Sequence, residues 1–529
     1  MPRRRLTPFA KLFITLLILA GLFFGGRYLL QNTSFGRDLM NQAENGTTGE
    51  AKSNDEGRSP LKDIFSKKDD DDVLKVQVFT WGGYAPGIYF NEGLEHSEHS
   101  RYWTDYGLKV DFWHTDDFDA TRQAWVADEV HLLGNEVSAM ATEMERLGKY
   151  DPQILMQVDW SRGGDAIIAK RGINTFNDLK GKDIAVTPST PSQTFLIYAL
   201  DAANLKMSDV NAIEVPSAID AATAFKSGKV DAAVVWSPDD VLAIKDVPGS
   251  KVLVSTKEAS HIIADVYMVK KSYAEKHPEK LAAFYEGWMK AAAEINGNKS
   301  NKEKAARILA EGMGLPVEAS LDMMNNVYLN THGDNLNFFG KNMDFKGVTG
   351  EKLYTQMGNQ YETLGFAPAN RPNWRAMAYT RAMAAADLTG PGHEAEGQKV
   401  FAPATAADKT KPALASKPVI INFSTGQYQL SENAKTIIDL QFANVATAYS
   451  NSRIRIEGNT DNVGARDMNM KLSRARAQSV ARYLQETYDM DTNRFIIVGN
   501  GPDKPVPGCE TNATEECKSK NRRTEFQLL

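Results

Sequence analysis

Cysteine is close to absent: the 529 residues contain two, Cys509 and Cys517, so neither a thiol nucleophile nor a thiolate-rich metal centre has material to draw on. A surplus of charge of one sign is missing too. The formal net charge is −6 with 24% charged residues, which lacks the basic footprint that nucleic acid requires. Fixed catalytic signatures are also lacking: there is no Gly-x-Ser-x-Gly elbow, Walker loop, dinucleotide glycine fingerprint or His-Glu-x-x-His. The expectation is a protein that is not an enzyme and needs no cofactor.

What is present points to several units. A length of 529 residues exceeds one hydrophobic core, and about 150 residues per domain predicts two to four. Leu12 to Gly26, LFITLLILAGLFFGG, is uncharged and follows Arg3-Arg4-Arg5. With its apolar flanks it reaches bilayer-spanning length, and no small-x-small cleavage site follows. Residues 1–30 are therefore expected to be a cytoplasmic tip and an uncleaved inner-membrane anchor, with the bulk of the chain in the periplasm. Polar residues 31–72, ending in the run Asp69 to Asp72, read as a linker, as does 390–417 with its Ala/Lys/Pro/Thr stretch. Two bodies are delimited, 73–389 and 418–529.

The first body alternates strand-like and helix-like stretches. Val73 to Thr80, Asp183 to Thr187 and Asp231 to Trp236 read as strands, and Ser217 to Ser227, Ala274 to Ile295 and Lys302 to Glu311 as helices. In such an α/β pattern ligand loops follow the carboxyl ends of strands, here Trp81-Gly82-Gly83-Tyr84 and Trp236-Ser237-Pro238-Asp239. Trp81 and Tyr84 suit stacking on a ligand or packing at a lobe edge. Ser189, Thr190, Ser192 and Thr194 surround a helix start that suits an oxyanion or plain capping. Asp159, Asp239 and Asp265 suggest an ammonium or else pair with Arg162 or cap helices, so the solute reads as zwitterionic, as cationic, or as containing an ammonium or oxyanion group. His96 and His99, with Glu95, Glu98 and His114 near, lie in a polar loop that reads as solvated, and no metal site is expected.

In the second body Val419 to Phe423 reads as a strand, Ser431 caps a helix through Thr447, and Arg453 to Gly458 is a further strand. A helix follows whose Leu472, Ala475, Ser479, Val480 and Tyr483 fall on one face. Asp461 in the preceding turn and Arg476 along the helix could grip a ligand bearing both ammonium and carboxylate, or form an ordinary surface pair. The spacing of Cys509 and Cys517 permits a disulfide in an oxidising compartment, whereas a metal site would need ligands not nearby.

Two resemblances sharpen this reading. Thr460, Asp461, Gly464, Asn469, Leu472, Ser473, Arg476 and Ala477, with the late Asn521-Arg522-Arg523, resemble the OmpA-like peptidoglycan-binding domain. That resemblance implies non-covalent grip of diaminopimelate by Asp461 and Arg476, loop ordering by Thr460 and Asn469, and a Cys509–Cys517 disulfide. The stretches FTWGGYAPG, FNDLKGKDIAVTPSTPSQTFL and IDAATAFKSGKVDAAVVWSPD make the first body similar to type 2 periplasmic solute-binding proteins of sulfonate, nitrate and thiamine-precursor transport. The implied fold is a two-lobed α/β periplasmic binding protein plus an α+β OmpA-like domain, preceded by one transmembrane helix. Crossings between lobes are expected near Asp159 to Ala169 and near His261 to Val269, with Trp81, Tyr84, Asp159, Ser192, Thr194, Trp236, Asp239 and Asp265 as solute contacts. The implied function is the solute-binding component of an ABC-type uptake system fixed to peptidoglycan, with an ABC permease as a partner. The alternative is a membrane-to-wall linker or sensor whose lobes bind a protein.

Overall fold

The computed structural model describes residues 73–529 except 422 and 425. The expected membrane span and first linker lie outside the described residues. Among those described, no helix is long and apolar enough to cross a membrane.

Three sheets organise the chain. The first has the order β11-β4-β10-β3-β1-β2, built from β1 (Val73–Val78), β2 (Lys109–His114), β3 (Leu132–Glu136), β4 (Pro152–Ser161), β10 (Ala264–Lys270) and β11 (Val327–Leu329). The second has the order β7-β6-β8-β5-β9, from β5 (Asp165–Ala169), β6 (Asp183–Val186), β7 (Asn211–Glu214), β8 (Ala232–Trp236) and β9 (Lys251–Ser255). In each, parallel neighbours joined by helices meet antiparallel strands: β1 runs parallel to β2 and β3, and β10 antiparallel to β3 and β4. Likewise β6 is parallel to β7 and β8, while β5 is antiparallel to β8 and β9. Strands such as β1 and β8 are almost wholly buried, as expected where helices cover both faces of a sheet.

The chain passes between these sheets twice. Residues 162–164 join β4 to β5, and 256–263 join β9 to β10. Two lobes on paired crossings are the geometry of hinge closure.

Most expected elements of this body lie within one to three residues of the observed ones, with one division. The helix read over Ala274 to Ile295 is two, Lys271–Lys276 and Pro278–Gly297. Pro278 has no N–H to continue the first helix, yet suits the first turn of the second.

The third sheet has the order β12-β15-β13-β14, from β12 (Ala415–Val419), β13 (Ile454–Asn459), β14 (Phe495–Gly501) and β15 (Thr524–Leu528). Its first strand ends where the sequence pattern starts one. The apolar residues after Pro418 suggest a strand, but antiparallel pairing of 415–419 with β15 sets the register, and Pro418 is tolerated because β12 is an edge. The helix Arg466–Tyr488 buries Ser473, Ala477, Val480, Ala481 and Leu484, so its core face is rotated about one residue from the expected one. Small side chains are required there: a Cβ on Gly458 of β13 would come 2.1 Å from the Ser473 carbonyl oxygen.

This module is seated on the lobes. Phe176 N–H donates to Leu414 O at 2.7 Å, and Lys417 Nζ reaches Asp201 Oδ1 at 2.7 Å. The second crossing is held as well: His261 N–H donates to Ala448 O at 3.2 Å, the Ser260 and Ser450 hydroxyls lie 2.6 Å apart, and Asn451 Nδ2 donates to Lys257 O at 2.8 Å. Residues 390–414 are laid against both bodies. Glu396 accepts two bonds of 2.6 Å from Arg162 in the first crossing, and Arg455 Nη1 of β13 donates to Lys409 O and Lys411 O at 3.1 Å.

Candidate functional site

The cleft is built where strands of both lobes end. On the first lobe, β1 runs into Trp81, β3 ends at Glu136, and β4 and β10 place Asp159 and Asp265 side by side. Directly opposed residues of an antiparallel pair project from the same face, so these two carboxyl groups share one environment. Trp81 Nε1 donates to Asp159 Oδ2 at 2.9 Å. Asp159 is fully buried, and its Oδ1 has no hydrogen-bond partner. Gly83 is required beside it, since a Cβ there would stand 1.4 Å from Asp159 Oδ2.

The second lobe supplies the facing wall. The Trp81 ring lies over Gly164 of the first crossing, where a Cβ would come 1.9 Å from its Cη2. Trp236, at the end of β8, donates from Nε1 to Ser192 Oγ at 3.0 Å, and its ring sits 6.4 Å from that of Phe118 of the first lobe. Thr194 is buried between lobes, with Oγ1 3.0 Å from Ser138 Oγ and 2.8 Å from Tyr361 Oη. Asp239 opens the helix Asp239–Asp246 and is partly exposed. Tyr84 packs into the first lobe, 1% exposed, with its ring 5.8 Å from Tyr267. The structure thus gathers Trp81, Asp159 and Asp265 on one wall and Ser192 and Trp236 on the other, joins the lobes through Thr194, and sets Tyr84 behind them.

Two cleft carboxyl groups were not anticipated. Glu136 Oε1 and Oε2 accept the Ser138 and Ala139 N–H groups at 2.9 Å, and Asp165 Oδ2 accepts Ser161 Oγ at 2.7 Å. Burial pushes each up to about 7, against the lowering effect of those bonds. Burial likewise raises Asp159 and Asp265, and other cleft carboxylates add to the effect. The signal for Glu136 was its place at the end of the apolar run LLGNE, and for Asp165 the glycine pair before it. His96 bonds Asp111 at 2.7 Å and His114 bonds Thr80 at 2.7 Å. No group of three or more histidine, cysteine or acidic residues able to hold a metal occurs among the described residues.

In the C-terminal module Asp461 Oδ1 accepts the Val463 N–H at 3.0 Å, and Oδ2 accepts Arg522 Nη1 at 2.7 Å. Arg476 is 9% exposed. Its Nε donates to Gln427 O at 3.0 Å, and its guanidinium lies 4.8 Å from the Phe423 ring centroid. Burial lowers its pKa. Thr460 Oγ1 donates to Asp461 O at 2.8 Å, and Asn469 Nδ2 to Val463 O at 3.0 Å, so both order the turn carrying Asp461. Arg522, quoted in the motif without a role, is the cation on Asp461. Cys509 and Cys517 form a disulfide, in a loop that Asn521 ties down by accepting from Val506 N–H and donating to Cys509 O.

Two lobes on paired crossings with ligand-type loops between them, followed by a four-stranded α+β module, define a two-lobed periplasmic binding protein fold joined to an OmpA domain. The profile of the OmpA family matches residues 422–522, and that described as NMT1/THI5 like matches 101–299. Outer membrane protein A of Bordetella avium is 30% identical over 188 residues, 35% of this chain and 88% of that protein. The chain belongs to the OmpA family through its C-terminal domain, and part of its first body is similar to the NMT1/THI5-like family. The taurine-binding periplasmic protein of Escherichia coli (strain K12) is 36% identical over 124 residues, 23% of this chain and 37% of that protein. The chain therefore spans well under half the length of that relative. The crystal structure of the periplasmic aliphatic sulphonate binding protein of Escherichia coli superposes with a TM-score of 0.46 at 19% identity, covering 60% of this chain and all of that one.

Proposed function

We propose that this chain holds a small solute between its lobes, as the binding component of an ABC-type uptake system, while its C-terminal domain grips peptidoglycan. The observation that carries the reading is the convergence of polar and aromatic groups from both lobes at two crossings about which closure can turn. Trp81, Asp159, Ser192, Thr194, Trp236, Asp239 and Asp265 line or close the junction of the lobes in this reading, with Tyr84 packed on Tyr267 in the first lobe. Relatives named for sulfonates and taurine support a small-solute role.

At the wall, the Asp461 carboxylate pairs with Arg522 and also acts electrostatically on the Arg476 guanidinium. Diaminopimelate carries both ammonium and carboxylate, so a carboxylate and guanidiniums side by side offer it two complementary charges. Thr460 and Asn469 hold the turn. Residues 1–30 moor the other end in the inner membrane, leaving the lobes in the periplasm within reach of a permease.

Thermal melting of the full chain with a panel of amino acids, sulfonates, amines and inorganic anions tests the solute role. A ligand present at about 100 times its Kd stabilises by about 2.7 kcal/mol, which is readily seen. A panel that leaves the melting temperature unmoved favours a membrane-to-wall linker or sensor instead. Sedimentation with purified sacculi tests the wall role: Asp461→Ala and Arg476→Ala should each leave the protein in the supernatant. Retained binding by both variants would remove these residues from the site.

A further inference from the structure

Charge where the lobes meet is of one sign. Glu136, Asp159, Asp165 and Asp265 are all drawn to the region where the lobes meet, and each of the first three is at most 5% exposed. They influence one another: Asp265 feels Asp159, Glu136 and Asp165, and Asp165 feels Glu136 and Asp240. No lysine or arginine acts on Asp159, Asp165 or Asp265 among the described residues. The cations on this side serve the next residues along, Lys226 toward Asp239 and Lys257 toward Asp240.

Three buried polar atoms in this region have no hydrogen-bond partner. They are Asp159 Oδ1, Asp240 Oδ1 and Thr187 Oγ1, on residues 0%, 8% and 7% exposed. Thr187 follows the carboxyl end of β6, Asp240 stands in the first turn after β8, and Asp159 lies on β4 beneath Trp81. A buried oxygen left without a partner is costly, so these atoms call for a hydrogen-bonding group between the lobes.

Part of what would receive an oxyanion is already engaged. At the hydroxyl-rich helix start, Ser189 N–H donates to Gln193 Oε1 at 2.7 Å and Thr190 Oγ1 to Thr187 O at 2.8 Å. The first helical residue, Pro191, has no N–H to offer, and the Ser192 hydroxyl, which accepts from Trp236, keeps its own hydrogen for a neutral or anionic acceptor.

We propose that the cleft takes a small organic cation bearing ammonium groups, held by Asp159 and Asp265 with Glu136 and Asp165 behind them and by the faces of Trp81 and Trp236. The aromatic wall fits this chemistry: Phe79, Phe118 and Trp236 form a chain with centroid spacings of 4.8 and 6.4 Å, and ring faces attract ammonium groups. This inference rests on the small-solute reading above and names its ligand class. In the unliganded cleft the carboxyl groups hold protons near neutrality, and a cation displaces them. The groups facing Asp159 and Asp265 are Glu136, Asp165, Tyr84 and Tyr267, with Asp116 acting on Tyr84 and Asp240 on Asp165. Proton release on binding makes affinity rise with pH between about 6 and 8.

The test uses the full chain with putrescine, spermidine and tetramethylammonium against ethanesulfonate, sulfate and nitrate, by thermal shift and by calorimetry in two buffers of different ionisation heat. The expected result is binding of an ammonium probe, release of protons, tighter binding at pH 8 than at pH 6, and at least tenfold weaker binding by Asp159→Asn and Asp265→Asn. The proton release needs no variant, so it decides the matter even if a substitution impairs folding. Binding of ethanesulfonate, sulfate or nitrate with no response to the ammonium probes overturns the cation and leaves the solute-binding reading intact. Silence toward both classes overturns both.

Discussion

His261 shows how one residue's surroundings set a pH limit. Burial, with Arg162 and Arg494 adding to it, pushes its imidazole down to about 3, while Nδ1 stays 2.7 Å from Ser450 Oγ and Nε2 lies 4.0 Å from Glu396. A folded-state pKa below the unfolded value of about 6.5 means the ring contributes stability that is full above that pH and is lost as the pH falls toward the folded value. His131, also pushed down to about 3, acts in the same direction, whereas Glu136 and Asp165, which gain protons in the fold near pH 7, act oppositely. The readable quantity is therefore the difference between proteins. Thermal melts at pH 7 and pH 4.5 should show His261→Gln losing about 1–2 kcal/mol less on acidification than the parent, after discounting for the imidazole's partial exposure. An equal acid loss in both would mean that the ring is not held neutral.

At the scale of elements, the disulfide loop gives the clearest expectation. Cys509 and Cys517 are eight residues apart, and closing a loop of that size in the unfolded chain is worth about 2.5 kcal/mol in the chain-entropy account. Cys517→Ser should lower the stability of the C-terminal domain by about 2 kcal/mol, measured by denaturant unfolding under oxidising conditions. Reductant should bring the parent to the variant's level.

Elements also show what the sequence made legible. Strands buried on both faces, such as Ala232–Trp236, and helices opened by a cap, such as Ser217, were readable because period and capping are local. The register of β12 was not, since it depends on β15, more than a hundred residues later. The site divides in the same way. Asp461 and Arg476 stand in a local motif, and their setting is visible as a pattern. Glu136 and Asp165 lie in unremarkable stretches: the return of β10 beside β3 and β4 brings Glu136 and Asp159 to Asp265, and Asp165 follows them across the first crossing.

For the whole molecule, the seating of the C-terminal domain is open to a direct check. With the Ser260 and Ser450 hydroxyls 2.6 Å apart, the double variant Ser260→Cys/Ser450→Cys should form a second disulfide on mild oxidation, identified by peptide mapping without reduction. Failure to cross-link would mean that the domain leaves this seat in solution.

That seat lies on residues 257–261, in the segment that carries the chain from the second lobe back to the first, and the other crossing is clasped through Arg162 and Glu396. Lobe movement must turn about these segments, so a domain resting on them cannot be indifferent to it. Whatever factor separates the solute affinity of the seated and unseated forms must equally separate the seating constants of the filled and empty cleft. Under the proposed function, a chain pulled between membrane and wall would then convert envelope spacing into a change in how tightly it holds its solute.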